Sequence, residues 1–289
     1  MACGLRRCGL IWKGGRRMKT VLTIAGSDCS GGAGIQADLK TIGAFGLYGM
    51  SALTAITVQN TCGVFRVEPV KASVVEEQLR AVFEDIPPDA VKVGMVVNRE
   101  NIQAVAAVLR KYRPAVILDP VMISTSGTAL LDERATEALT GQLFPLAELV
   151  TPNLPEAQAL WGRSICSDGE RELAARELAK KYGCSVLIKG GHGAGSADDL
   201  LYNSKSGVWS WFRNEKISNC NTHGTGCTLS SAAACGLAQG LSLEESVRAA
   251  KEYITGAIQS GMRLGHGNGP LNHFFQPQKK RGEKADGIK

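Results

Sequence analysis

No stretch of about 18 consecutive apolar residues occurs in the 289-residue chain, so no membrane-spanning helix is expected. Aromatic residues make up only 6%, too few to supply the base-stacking platforms of single-strand nucleic-acid binders. The nine cysteines (3, 8, 29, 62, 166, 184, 220, 227 and 235) include no Cys-x-x-Cys pair, which argues against a zinc site or a disulfide framework. A reducing, cytoplasmic setting is the expectation. Residues 1–17 lack an apolar core long enough for a signal peptide and are interrupted by Gly14 and Gly15. With Met18-Lys19-Thr20 as a natural start, they are expected to be a disordered extension or a start placed too early.

What is present is a large α/β composition. Apolar residues account for 44% of the chain, enough for a sizeable core. The net charge of +6 sits at the ends: residues 1–17 carry +5 and residues 276–289 carry +3, leaving −2 for the body. Basic ends on a slightly acidic body are weak ground for a nucleic-acid partner, and none is expected. There is no internal repeat and no linker, so one domain over residues 18–275 followed by a basic, disordered tail over 276–289 is the economical division.

Apolar runs alternate with helical periodicity throughout. Strands are predicted at 20–25, 51–58, 90–93, 115–118, 149–151 and 185–188, with a hairpin from 200–203 and 208–212 around Ser206-Gly207. Helices are predicted at 33–45, 74–85, 99–112, 132–141, 168–182, 228–239 and 243–262. Apolar strands each followed by a helix imply a mostly parallel sheet covered on both faces. In such sheets ligands bind beyond the carboxyl ends of the strands. The segments there are among the chain's most polar and glycine-rich connections.

The strongest of these candidates is His223-Gly224-Thr225-Gly226-Cys227-Thr228, running into an alanine-rich helix. Gly224 and Gly226 leave backbone N–H groups unobstructed at a helix N-terminus, an arrangement suited to a phosphoryl group in transfer. A glycine-rich turn capped by Thr225 or Thr228 is the plainer reading. Cys227 lies where the helix dipole favours thiolate, although a small cysteine packed in an alanine-rich helix is the commoner case. Gly26 to Gly34 forms a second glycine-rich turn after the first strand. It matches neither G-x-x-x-x-G-K-S/T nor G-x-G-x-x-G, leaving close backbone approach to a small molecule, or simply a tight turn. Asp119 and Glu156 each follow an apolar strand and are candidates to hold Mg²⁺, while Glu156 also suits the first turn of a helix. Lys189 leaves an apolar strand into Gly190-Gly191, a poor place for a solvated lysine and a good one for neutralising phosphate.

Together these segments resemble the hydroxymethylpyrimidine/phosphomethylpyrimidine kinases of thiamine biosynthesis, within the ribokinase-like superfamily. The matching pieces are the segment from Leu22 to Asp28, that from Ser30 to Thr41, Gln59-Asn60-Thr61, Lys92-Val93-Gly94-Met95, Asp119-Pro120-Val121-Met122, Thr151-Pro152-Asn153-Leu154-Pro155-Glu156-Ala157, Lys189-Gly190-Gly191-His192, and the stretch from His223 to Thr228. The resemblance implies a single-domain three-layer sandwich, mostly parallel in its sheet, that uses ATP and Mg²⁺ on 4-amino-5-hydroxymethyl-2-methylpyrimidine and then on its monophosphate. It further implies that Gln59 reads the pyrimidine edge, with Gly26, Asp38, Met95 and Val121 lining the pocket. Lys189, Thr225 and Gly226 would hold ATP phosphates; Asp119, Asn153 and Glu156 would organise Mg²⁺; and Gly224, Gly226 and Cys227 would form the reacting centre. A homodimer is implied as well. Much of the superfamily carries aspartate at the position of Cys227, whereas this family carries cysteine.

Two other readings stand beside it. A pyridoxal or pyridoxine kinase handles a similar hydroxymethyl heteroaromatic, and Gln59 favours the aminopyrimidine because an amide both donates and accepts. A non-catalytic pyrimidine-binding regulator would bind ligand without ATP turnover.

Overall fold

The computed structural model describes residues 17–122, 132–191, 196–217, 219 and 221–275. The chain runs through β1 (Thr20–Asp28), α1 (Gly34–Ala44), β2 (Tyr48–Asn60), β3 (Gly63–Pro69), α2 (Ala72–Asp85), β4 (Ala90–Val93), α3 (Arg99–Tyr112) and β5 (Val116–Leu118). It continues through α4 (Glu133–Ala138), β6 (Leu149–Val150), α5 (Leu154–Trp161), α6 (Asp168–Tyr182), β7 (Ser185–Ile188), β8 (Asp199–Asn203), β9 (Val208–Phe212), α7 (Thr225–Ala238) and α8 (Leu243–Ser260).

The strands form one sheet in the order β3-β2-β1-β4-β5-β6-β7-β8-β9. From β2 through β7 the pairings are parallel, and the two edges are antiparallel hairpins, β2–β3 and β7–β8–β9. This is the covered, mostly parallel α/β sandwich that the apolar runs imply. Period-two alternation divides the core: Leu22, Ile24, Val91, Val93, Val116 and Leu118 pack towards α2, α3 and α6. Val21, Ala90, Ile117, Leu149 and Leu187 pack on the opposite face against α7 and α8. On that second face, between Val91 and Val93, the alternation places Lys92 in the interior.

The helix ends follow from local chemistry. Asn98, Asp132, Ser167 and Ser242 each accept a backbone N–H at a helix start. Gly162 and Gly183 close α5 and α6 in the left-handed conformation that glycine adopts without strain. Several boundaries differ from expectation. β1 runs three residues past Ala25, reaching Asp28, and β2 extends in both directions. β3 and α5 were not among the predicted elements, and α7 begins at Thr225 rather than at Thr228. That last shift places Gly226 and Cys227 within the first helical turn. The expected extension over 1–17 and the tail over 276–289 fall outside the described residues, apart from Arg17.

Candidate active site

β5, β6 and β7 are consecutive parallel neighbours, so the residues just beyond them meet at one edge. Asp119 follows β5, Thr151 follows β6 and Lys189 follows β7. Lys189 Nζ donates to Asp119 Oδ1 at 2.6 Å, and Thr151 Oγ1 donates to the same oxygen at 3.1 Å. Burial pulls the Lys189 ammonium down, but the Asp119 and Glu156 carboxylates outweigh it and raise it above the usual lysine range. The ammonium is therefore a permanent charge.

α7 points its N-terminus at this pair. Its cap, Gly224, has φ +84°, and no side chain caps the helix. A Cβ at Gly224 would lie 1.9 Å from the Gly32 carbonyl oxygen, so the two glycine-rich turns touch backbone to backbone. A Cβ at Gly226 would lie 3.0 Å from Asp119 Oδ2 and 3.2 Å from Lys189 Nζ. Uncapped N–H groups, an ammonium and a carboxylate thus converge where Gly226 leaves space. Thr225 turns both its hydroxyl, at 2.6 Å, and its N–H, at 3.3 Å, back to the Thr222 carbonyl, so it is engaged in the turn.

Glu156 lies close to this pair. Its Oε2 accepts from Asn153 N and its own N–H donates to Asn153 Oδ1, both at 2.8 Å, forming a capping box on α5. The Met122 N–H also donates to the carboxylate, tying the β5 loop to α5. Burial drives the carboxyl up to about 7, with Lys189 opposing and Asp119 adding to the rise. Asn153 is accordingly engaged as a helix cap, and among the described residues no three acidic, histidine or cysteine side chains are arranged as a metal cluster. The donor chemistry nonetheless fits Mg²⁺, which is held by one or two carboxylates together with phosphate oxygens. Asp119 and Glu156 would supply the carboxylates.

Cys227 departs from the thiolate expectation. Burial pushes its thiol up to about 11, against the opposing pull of Lys92 and of the Gly34 N–H that donates to the sulfur. The dipole of a helix start is outweighed by loss of solvent.

The residues carried over as pocket lining separate into groups. Gly26 and Met95 adjoin: a Cβ on Gly26 would sit 2.4 Å from Met95 Cε and 3.8 Å from Ala55 Cβ. Val121 donates its N–H to the Asp119 carbonyl at 2.9 Å, in the turn beyond β5. Gln59 stands near the far end of β2, past a register shift, where its carbonyl accepts from Cys29 Sγ at 3.2 Å. Asp38 does not line a wall. It is fully buried, paired with Lys92 Nζ at 2.9 and 2.8 Å and bonded by Thr23 and Ser231. His192 lies outside the described residues.

Two features escaped the sequence reading. Lys92 was legible as a lone charge in the run Ala90-Val91-Lys92-Val93, a pattern that marks a buried, paired lysine. His223 bonds Asp28 Oδ2 at 2.9 Å, and the same carboxylate collects the N–H groups of Ser30, Gly32 and Ala33. Burial raises Asp28, but these bonds prevail and hold it down at about 2. The β1–α1 turn is thereby stitched to the start of α7.

A family model described as phosphomethylpyrimidine kinase matches residues 28–272. The chain is 50% identical over 260 residues to the hydroxymethylpyrimidine/phosphomethylpyrimidine kinase of Rhizobium meliloti, covering 88% of this chain and 97% of that one. It is 48% identical to the thiamine biosynthesis bifunctional protein ThiED of Geobacter sulfurreducens, covering 91% of this chain but about half, 54%, of that longer protein. Among solved structures, phosphomethylpyrimidine kinase from Clostridium difficile aligns with TM-score 0.74 at 46% identity, covering 83% of this chain and 99% of that one. Pyridoxal kinase from Staphylococcus aureus, in complex with AMP-PCP and pyridoxal, aligns with TM-score 0.80 at 36% identity over 89% of this chain and 94% of that one.

Proposed function

The chain belongs to the phosphomethylpyrimidine kinase family, and from that premise we propose that it transfers the γ-phosphoryl group of ATP to the hydroxymethyl oxygen of 4-amino-5-hydroxymethyl-2-methylpyrimidine. A second transfer, to the monophosphate, yields the diphosphate. The observation that carries this reading is the convergence on Gly226 of the uncapped α7 start, Lys189 Nζ and Asp119 Oδ2.

Phosphoryl transfer depends on positioning and on charge aimed at the equatorial oxygens. In this reading the backbone N–H groups of Gly226 and Cys227 receive the transferred group, with the positive end of the helix behind them. Lys189, held charged by Asp119, neutralises phosphate oxygens without reorganising during the step. Gly26 and Met95 form an apolar seat for a flat ring, and Gln59 is the polar group assigned to the ring edge. Asp119 and Glu156 would hold Mg²⁺, which when bound supplies charge neutralisation at the phosphates. In this reading Cys227 takes the hydroxymethyl proton. Because its thiol is protonated in the free protein, charge stabilisation carries the larger share of the rate.

A pyridoxal substrate is a second reading, favoured by the likeness to pyridoxal kinases at TM-scores of 0.80 and 0.81. Steady-state ADP release with the pyrimidine and with pyridoxal, each at matched ATP and Mg²⁺, separates the two. A kcat/KM for the pyrimidine at least about tenfold above that for pyridoxal supports the first reading, and the reverse order supports the second.

A further inference from the structure

Lys92 is the largest fully buried side chain among the described residues, and the reaction outlined above makes no use of it. It projects from β4, at the centre of the sheet, onto the face covered by α1 and α7. Its ammonium bridges both oxygens of Asp38, at 2.9 and 2.8 Å, and both side chains are 0% exposed. A Cβ at Gly94 would lie 2.7 Å from Lys92 Nζ, so the strand end is glycine where the ammonium needs room. Thr23 Oγ1, on the neighbouring β1, donates to Asp38 Oδ2 at 2.5 Å, and Ser231 Oγ, on α7, donates to Asp38 Oδ1 at 2.7 Å. One carboxylate therefore joins β1, β4, α1 and α7.

The spacing of these contacts gives them a direction. Asp38 lies one helical turn below Gly34 in α1, and Ser231 lies one turn below Cys227 in α7. The Ser231–Asp38 bond is thus repeated one turn higher by the Gly34 N–H that reaches Cys227 Sγ. α1 and α7 run side by side in the same sense, and Cys227 lies in the first turn of α7 beside the start of α1. The like ends of the two dipoles are positive and repel, and the negative charge set between the helices is the Asp38 carboxylate, which Lys92 fixes in place. Removing two charges from water also costs several kcal/mol per ion in general, so such a pair is a weak device for stability alone.

We propose that Lys92, locked by Asp38, is a positioning residue for phosphoryl transfer, setting the separation of the two helix N-termini and placing a permanent positive charge beneath Cys227 Sγ. The proposal rests on the kinase reading. The other charged groups acting on the sulfur are Asp38 from α1, Asp119 from the β5 loop and Lys189 from the end of β7. Lys92 exerts the strongest pull towards thiolate, and Lys189 acts in the same sense from the opposite side of the site.

The test uses the full chain carrying Lys92→Met together with Asp38→Asn, which removes both charges at nearly constant volume; the amide oxygen still accepts from one of Thr23 and Ser231, and the other hydroxyl turns to accept from the amide NH₂. Measured together are kcat, KM for ATP and for the pyrimidine, the melting temperature, and the iodoacetamide alkylation rate of Cys227 followed by peptide mass. The expected result is a melting temperature near that of the wild type, kcat lower by about tenfold or more, both KM values little changed, and alkylation slowed several-fold. A double variant with wild-type kcat and alkylation rate overturns the proposal. Should it fail to fold, Ser231→Ala loosens the same carboxylate: a lower kcat at constant KM supports the proposal, and an unchanged kcat contradicts it. If the wild type shows no turnover, the kinase reading fails and alkylation alone decides: slowed labelling of the double variant upholds the role of Lys92, while equal rates refute it.

Discussion

Lys189 Nζ donates to Asp119 Oδ1 at 2.6 Å, joining the ends of β7 and β5 across β6. The bond holds the ammonium beside the uncapped start of α7, and both partners are largely buried. Lys189→Met leaves Asp119 without its cation and the proposed phosphate site without its positive charge. It is expected to lower kcat about a hundredfold or more, as removal of a single transition-state donor does. Steady-state kinetics check this, and a variant altered only in KM for ATP would reduce Lys189 to a binding group.

Gly226→Ala tests the space itself. The new methyl carbon would sit 3.0 Å from Asp119 Oδ2 and 3.2 Å from Lys189 Nζ, in a helical turn that accepts alanine readily. The Asp119–Lys189 pair must give by a few tenths of an ångström to admit the methyl, so the expected outcome is a folded variant with kcat/KM lower by roughly a hundredfold. Full activity in this variant would place the transferred group elsewhere.

Cys227→Ala is expected to lower kcat much more than it raises either KM, by about a hundredfold if the sulfur accepts the proton in the transition state. The thiol is raised to about 11 in the free protein, so a strong pre-formed base is absent and the loss should lie at the low end of that class. An unchanged kcat removes Cys227 from the reacting groups.

Glu156 makes stability depend on pH in a stated direction. Its folded pKa of about 7 lies above the ordinary value of 4.5. The folded state then holds the extra proton between those values, so stability falls as pH rises through that window and is fully regained only below it. Glu156→Gln keeps the acceptor for Asn153 and removes the charge. In metal-free buffer its melting temperature should exceed that of the wild type at about pH 8 and approach it near pH 5. A variant less stable than wild type at the higher pH would contradict the assignment.

The parts of this molecule legible in the sequence are those set by local pattern. Apolar strands such as Val116–Leu118 and Ser185–Ile188 are continuous because both faces are covered, and glycines at a helix start announce themselves. β3 leaves little trace because no residue in it is buried: Phe65 is 67% exposed, Arg66 and Glu68 pair at the surface, and the pairing of this edge strand is set by the hairpin. α5 carries a readable capping signal, Asn153 three residues before Glu156; the sequence suits Glu156 to a first helical turn, but the short run behind it does not announce a helix. The pairing of Asp38 with Lys92 spans 54 residues, and that of Asp38 with Ser231 spans 193, so the local run shows that Lys92 needs a partner but not which residue supplies it. The same holds for the Cys227 thiol: its helix position is local, whereas the burial that raises it comes from elements distant in the chain.

The central claim, phosphoryl transfer at the start of α7, is tested most directly by ADP release from ATP and Mg²⁺ with 4-amino-5-hydroxymethyl-2-methylpyrimidine as acceptor. The account predicts acceptor-dependent turnover that continues to two ADP per pyrimidine and collapses in Gly226→Ala. No ADP above the acceptor-free background, with either the pyrimidine or pyridoxal, would contradict it.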